Sequence, residues 1–162
     1  MLSDGVIALH EITPAEAQDL AEGRCPLPAV PDYPHSDSMA AARLARDSFW
    51  LDNWVPGFGM HLIVRLADGL VVGDAGFHAP PDERGSVELS YGLAASARGH
   101  GYATRAVRLL CASALARDCA SSVIAETTPD NPASIAVLAR CGFVPVRSGG
   151  QRLRFRLSRG PR

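Results

Sequence analysis

The feature of the sequence that most constrains its fold is a glycine-containing turn that joins a strand-like segment directly to a long helix. Residues 86–93 alternate apolar and polar side chains, as a half-buried strand does. The turn Arg98-Gly99-His100-Gly101 follows, and from about residue 101 to 118 apolar side chains recur at helical spacing. A helix that begins at such a turn offers free N–H groups and the positive end of its dipole. This junction therefore predicts a phosphate or pyrophosphate site.

The turn taken alone is a weak signal, but two familiar phosphate-binding loops are excluded. No Gly-Lys-Ser/Thr follows it, so it is not a Walker A loop. It is not a dinucleotide fingerprint, because Thr104 stands where a third glycine belongs and no acidic residue ends a second strand at the required distance. Arg98 either adds a charge-assisted contact to the phosphate or caps the loop.

Strand and helix patterns succeed one another in an order that predicts a mixed sheet. The order is strand, helix, helix, three strands, helix, strand, helix and two strands. Residues 60–66, 70–77 and 86–93 form a meander, and the short apolar strand 123–126 follows a helix. That helix makes a βαβ crossover, so strand 123–126 is expected to pair parallel to strand 86–93. The prediction is an α+β (mixed α/β) fold with a central, mostly antiparallel sheet flanked by about four helices.

Three helix starts are marked by residues that commonly cap helices. Thr13 is expected to cap the first helix, and Asn131, followed by proline, the last. Asp37 or Ser38 is expected to cap a second helix over residues 39–53.

Composition excludes several kinds of partner. The 162 residues are 47% hydrophobic with a net charge of −1, which predicts one domain over residues 1–162 and gives no electrostatic footprint for nucleic acid or an anionic membrane. The four cysteines are far apart and form no CxxC pair, so we expect buried reduced thiols. Neither a membrane span nor a signal peptide is evident, and a cytoplasmic protein is expected.

Two motifs resemble those of a known family. Residues 87–93 followed by residues 98–104 are similar to the acyl-coenzyme A binding motif of the GNAT N-acetyltransferase superfamily. Downstream, residues 126–134 and 137–143 resemble the second motif of that superfamily, in the same order and at the same spacing. The resemblance is greatest to the RimJ/RimL-type branch and extends over about residues 60 to 157.

The resemblance implies a GNAT-like fold with acetyl-coenzyme A as the cosubstrate and no metal ion. The cosubstrate would lie in a V-shaped gap where strands 86–93 and 123–126 splay apart. Main-chain N–H groups of the turn would hold the pyrophosphate, the 91–93 segment would pair with the pantetheine arm, and an N–H near Leu93 would polarise the thioester carbonyl. The cofactor-binding residues implied in this way are Tyr91, Gly92, Leu93, Arg98, Gly99, His100, Gly101, Tyr102, Ala103 and Asn131.

Acetylation of an amine requires a proton acceptor, because an amine with a pKa near 8 is mostly charged at neutral pH. Glu88 is the candidate general base, acting through water, because strands of the family often carry an acidic residue at this position. The alternative is that Glu88 is an exposed strand residue paired with an arginine. His61, His78 and His100 are bases by residue type, although His100 more simply fills a variable position beside the phosphate.

The departing thiolate requires a proton, for which the branch resemblance implies Ser134. Some members of the superfamily use a tyrosine later on the same helix, where this chain has Leu138. Ser134 also fits an ordinary position in the first turn of a helix. Asn131 likewise fits both a contact to the pantetheine arm and the N-cap of its helix.

The expected function is transfer of an acetyl group from acetyl-coenzyme A to a primary amine, of a small molecule or a protein N-terminus, by direct attack in a ternary complex. A non-catalytic acyl-coenzyme A-binding module and a generic α+β nucleotide-binding domain are the alternatives. A homodimer is implied only by analogy with relatives. Five aromatic residues near the first two helices fit either an acceptor pocket or plain core. They are Tyr33, Phe49, Trp50, Trp54 and Phe58.

Overall fold

An eight-stranded sheet forms the centre of the computed structural model, which describes residues 1–147 and 149–161. The strands are β1 (Leu2–Ser3), β2 (Ile7–Glu11), β3 (Met60–Arg65), β4 (Leu70–Phe77), β5 (Ser86–Leu93), β6 (Ser122–Thr127), β7 (Val144–Val146) and β8 (Leu153–Ser158). The helices are α1 (Pro14–Ala21), α2 (Ser36–Trp50), α3 (Tyr102–Leu115) and α4 (Pro132–Arg140), with a 3₁₀ turn at Ala95–Ala97. In the described part of the chain no helix has the length and apolar character needed to cross a bilayer.

The sheet contains one parallel pair, β5 and β6, among antiparallel neighbours in the order β1-β2-β3-β4-β5-β6-β8-β7. Pairing joins residues 86–89 of β5 to residues 122–125 of β6. It stops there, although β5 continues to Leu93 and β6 to Thr127. The two strands therefore separate beyond Leu89. This confirms the predicted mixed, mostly antiparallel sheet with its splayed parallel pair.

Helix α3 packs against the sheet because one of its faces is apolar over its whole length. Its buried residues follow the predicted helical spacing and pack against the sheet. They include Ala103, Ala106, Val107, Leu110 and Ala114. Truncating a fully buried leucine such as Leu110 would cost about 2–5 kcal/mol of stability. The N-terminus of α3 is thereby fixed relative to the end of β5.

Most helix starts agree with the sequence patterns, and α2 is the exception. Thr13 caps α1 in a reciprocal arrangement with Glu16, as predicted from its residue type. Helix α2 begins earlier than expected, because His35 rather than Asp37 or Ser38 is its N-cap. The His35 Nδ1 accepts the Ser38 N–H at 3.3 Å, a capping role that the usual small polar residues do not reveal.

The cysteines are free, but they are not uniformly buried. Cys111 is buried, Cys25 and Cys141 are half-buried, and Cys119 is exposed in the turn after α3, so the expectation of four buried thiols is wrong for Cys119. Burial raises the pKa of Cys111 to about 12 and also raises the pKa of Cys25 and of Cys141. These three sulfurs consequently remain protonated at neutral pH.

Candidate functional site

A cleft of about 810 Å³ opens where β5 and β6 separate. Its walls come from the first two turns of α2, from β4, the end of β5, the turn before α3 and its first residues, and from α4. The volume is in the range of small-molecule and cofactor sites. Among its lining residues are Tyr91, Gly92, Leu93, Arg98, Gly99, Gly101, Tyr102, Ala103, Asn131 and Ser134. The fold thus brings together nine of the ten residues expected to bind the cofactor, and the candidate acid.

The turn before α3 depends on two glycines in the left-handed conformation. Gly99 has φ +81° and Gly101 has φ +78°. A Cβ at either position would meet nothing within 4 Å, so glycine is required here by backbone conformation and not by lack of space. Gly101 is the N-cap of α3 and provides no capping side chain. Its carbonyl accepts the Arg105 N–H at 3.1 Å, the first hydrogen bond of the helix. The amides of the first turn have no acceptor within the helix, and residues 101–104 line the cleft.

This side of the cleft is suited to an anion. Arg98 is the first residue of the turn, and Arg140 is the last residue of α4; both line the cleft. The positive end of the α3 dipole and its free amides add to their charge. The combination can bind a phosphate group by charge-assisted hydrogen bonds from the arginines and main-chain donors.

The hydroxyl groups of Tyr91 and Ser134 meet across the gap. Tyr91 Oη lies 2.7 Å from Ser134 Oγ and donates to the Ser134 carbonyl at 3.3 Å. Burial raises the pKa of Tyr91, and the hydrogen bond to Ser134 opposes that rise. Tyr91 was expected only as a main-chain contact, yet its phenol reaches α4. Leu138, which stands on α4 where some members of the superfamily have a tyrosine, is fully buried in the core.

Asn131 is the N-cap of α4, as the sequence predicted. Its Oδ1 accepts the Ser134 N–H at 3.1 Å, and the residue also lines the cleft. Because capping uses the oxygen of the side chain, the amide NH₂ is left as a donor toward a ligand. The contact of Asn131 with the pantetheine arm stays a prediction.

Glu88 lies outside the cleft lining. Its carboxylate is 3.6 Å from His78 Nδ1, and both side chains are 45% exposed. The partner of Glu88 is therefore a histidine, whereas the alternative stated from the sequence was pairing with an arginine. Alternation along β5 nevertheless places Glu88 on the same face as Ser90 and Gly92, which do line the cleft. A proton that passes from the cleft to Glu88 would therefore travel along this face of the strand, through water.

The other candidate histidines are used structurally. The His100 ring stacks on Tyr102 with 5.6 Å between ring centroids, and its Nδ1 donates to the Ala97 carbonyl at 3.3 Å. His100 is the one of the ten expected cofactor-binding residues that is not part of the cleft lining. His61 is 4% exposed, its Nδ1 donates to the Gly59 carbonyl, and burial lowers its pKa, so it is a neutral core residue.

Sequence reasoning missed a buried carboxylate in the cleft. Asp74 of β4 lines the cleft and is 7% exposed. Its Oδ2 accepts hydrogen bonds from Tyr33 Oη at 3.0 Å and from Ser38 Oγ at 2.5 Å. Burial raises the pKa of Asp74, while these two hydrogen bonds oppose the rise. A single aspartate within the apolar strand 70–77 is the signal that could have revealed it.

Three of the five aromatic residues line a small apolar recess beside the cleft. This space, called the apolar recess below, is bounded chiefly by Leu44, Ala45, Phe49, Trp54, Phe58 and Met60. It shares Ala41, Asp74 and Ser90 with the cleft, so the two spaces adjoin. Of the remaining aromatics, Tyr33 is buried against Asp74 and Trp50 is 82% exposed.

Comparison of the sequence with protein families gives a family that agrees with this geometry. Residues 7–144 match the family described as an acetyltransferase (GNAT) domain. The chain therefore belongs to the GNAT acetyltransferase family, which confirms the expected enzyme class, an acyltransferase. It is also 32% identical over 113 residues to the uncharacterized N-acetyltransferase YjdG of Bacillus subtilis (strain 168), covering 70% of this chain and 67% of that relative.

Solved structures share the fold at low sequence identity. RimL, a ribosomal L7/L12 α-N-protein acetyltransferase in complex with coenzyme A, superposes with a TM-score of 0.69 and 16% identity over 96% of this chain and 95% of that one. The microcin C7 self-immunity acetyltransferase MccE, in complex with acetyl-CoA and AMP, gives 0.66 and 16% over 96% and 93%. A dodecameric spermidine N-acetyltransferase from Vibrio cholerae gives 0.66 and 12% over 96% and 95%. At these identities the likeness establishes the fold.

Proposed function

We propose that the protein transfers the acetyl group of acetyl-coenzyme A to a primary amine, of a small molecule or a protein N-terminus, by direct attack in a ternary complex. The observation that carries the proposal is the interrupted pairing of β5 and β6. It leaves an unpaired strand edge on one side of the cleft and the free amides of α3 on the other. The complexes of RimL with coenzyme A and of MccE with acetyl-CoA support the choice of cosubstrate.

The residues of the cleft fit the parts of this cosubstrate. The amides around Gly99 and Gly101, with Arg98 and Arg140, would hold the diphosphate. The edge of β5 over residues 90–93 would pair with the amide groups of the pantetheine arm, as an added strand would. The Asn131 NH₂ would donate to the same arm, and the N–H near Leu93 would point at the thioester carbonyl.

The residues near the end of β5 have separate tasks in the reaction. Acetyl-coenzyme A supplies a carbonyl carbon that bonds to the amine nitrogen while the C–S bond breaks and its electron pair leaves with sulfur. The N–H near Leu93 would stabilise the charge that develops on the carbonyl oxygen. Ser134 would give its proton to the thiolate, and Tyr91, hydrogen-bonded at 2.7 Å, would replace that proton. Tyr91 would then regain a proton from solvent. Glu88 would accept the proton of the amine through water.

A non-catalytic acyl-coenzyme A-binding module is the second candidate. It is favoured by the position of Glu88 outside the cleft lining and by its ion pair with His78. Such a module would bind acetyl-coenzyme A and release no thiol with any amine. Competition by ATP or NAD for the same turn would instead indicate a generic nucleotide-binding domain.

Replacement of Gly101 by valine is expected to weaken coenzyme A binding at least about ten-fold, measured by isothermal titration calorimetry. A β-branched residue is strained at φ +78°, so the first turn of α3 would move and its amides would no longer converge. Gly69→Val is the matched control, because Gly69 has φ +72°, lies in the β3–β4 turn and has open space within 4 Å of where a Cβ would stand. Wild-type affinity in Gly101→Val would remove the turn from the binding site.

Glu88→Gln is expected to lower kcat about 10- to 1000-fold at neutral pH and to leave coenzyme A affinity unchanged. The amide cannot accept the proton of the amine, but it preserves the size of the side chain. Thiol release with an amine panel over a pH series measures the effect, and Glu83→Gln in the exposed loop before β5 is the control. A pH profile identical to that of the wild type would exclude Glu88 as the base.

Ser134→Ala and Tyr91→Phe are each expected to lower kcat about 10- to 100-fold. The double variant should be little worse than either single one, because both hydroxyls serve one proton transfer. Rates of thiol release at saturating acetyl-coenzyme A give the comparison. Losses that multiply in the double variant would show that the two hydroxyls act independently.

A further inference from the structure

The cleft carries opposite charges on its two sides. Arg98 and Arg140 line the side built from the α3 turn and α4, whereas Asp37 and Asp74 line the side built from α2 and β4. The basic side suits the phosphates of the cosubstrate. The acidic side is left for the second substrate, and its charge favours a cation.

Asp74 lies beside the position where the transferred group is expected. In the β4–β5 pairing it is directly opposite Gly92, and Gly76 is opposite Ser90. These four residues therefore share one face of the sheet, and three of them have small side chains or none. The carboxylate is consequently reached from the cleft, one residue along the strand pair from Leu93.

The carboxylate is held in place with one oxygen available. Tyr33 and Ser38 both donate to Oδ2. Within residues 1–147 and 149–161 no hydrogen bond to Oδ1 is found, and Asp74 is part of the cleft wall. Two hydroxyl donors on one oxygen orient the side chain, so the second oxygen is left for an incoming cation.

The apolar recess begins at the same carboxylate. It has a volume of about 60 Å³, which suits a group of a few carbon atoms. Within the described part of the chain, Asp74 is the one acidic residue that lines it. The rings of Phe49 and Trp54 form part of its wall, with 5.2 Å between centroids. A chain attached to a nitrogen at Asp74 can thus place a short apolar branch in the recess.

We propose that Asp74 binds the cationic nitrogen of the acceptor, and that the apolar recess takes a short branched aliphatic group carried near this nitrogen. The acceptors are then primary amines such as the α-amine of a residue with an aliphatic side chain. This inference rests on the proposed acetyl transfer, which it refines by naming the class of amine and the residue that recognises it.

The first experiment compares three amines as acceptors: leucinamide, glycinamide and spermidine. We expect kcat/KM to be at least about ten-fold higher for leucinamide, because it alone combines a single cationic nitrogen with a branched apolar group. Equal or higher values for glycinamide or spermidine, with acetyl transfer intact, overturn the inference and leave the proposed function standing. Absence of transfer to all three amines, with coenzyme A bound, overturns both.

Asp74→Asn tests the role of the charge. We expect KM for leucinamide to rise at least about ten-fold, with KM for acetyl-coenzyme A unchanged and with unchanged inhibition by N-acetylleucinamide, which carries no charge. Asp47→Asn on the exposed part of α2 is the control. A residue with a purely structural role would weaken the charged and the neutral compound equally, and that result overturns the assignment.

Ala45→Phe tests the apolar recess without touching the carboxylate. The added ring fills the recess, so KM for leucinamide should rise at least about five-fold while KM for glycinamide stays unchanged. Ala40→Phe, on the exposed face of the same helix, is the matched control. Equal effects on both amines would overturn the placement of the aliphatic group.

Discussion

The early end of pairing between β5 and β6 is the constraint on which the rest of the site depends. Main-chain N–H and C=O groups inside a protein must find partners, and a sheet that opens in its middle leaves such groups without a neighbouring strand. A ligand with amide groups can replace the missing strand. The same opening of the sheet creates the cleft, so the proposed ligand site follows directly from the strand pairing.

The position of α3 turns this opening into a directional site. The apolar face of the helix fixes it on the sheet, and the left-handed turn at Gly99 and Gly101 brings its first amides to the end of the gap. Phosphate binding at one end and pairing along β5 would place the reacting end of the cosubstrate near Leu93. Asp74, opposite Gly92, then lies where the acceptor must approach.

The local parts of this arrangement could be predicted from the sequence, and the long-range parts could not. The meander, the glycine turn and the caps at Thr13 and Asn131 depend on residues close together in the chain, so pattern and residue type suffice. The contact of Tyr91 with Ser134 joins residues 43 positions apart, and that of Tyr33 with Asp74 spans 41. No periodicity encodes such contacts, because they exist only after the sheet and helices have packed.

In the role proposed for Asp74, stability and function would oppose each other. Burial raises its pKa in the folded protein, so the folding free energy that it contributes becomes less favourable as pH rises above the pKa of an unfolded aspartate, about 3.9. At neutral pH the side chain therefore contributes less to stability than it does below that pKa, and the hydrogen bonds from Tyr33 and Ser38 oppose this effect of burial. A bound ammonium ion would also oppose this effect by favouring the ionised form. A buried carboxylate that costs folding free energy and lines a cleft is consistent with the proposed role of Asp74 in binding a cationic acceptor.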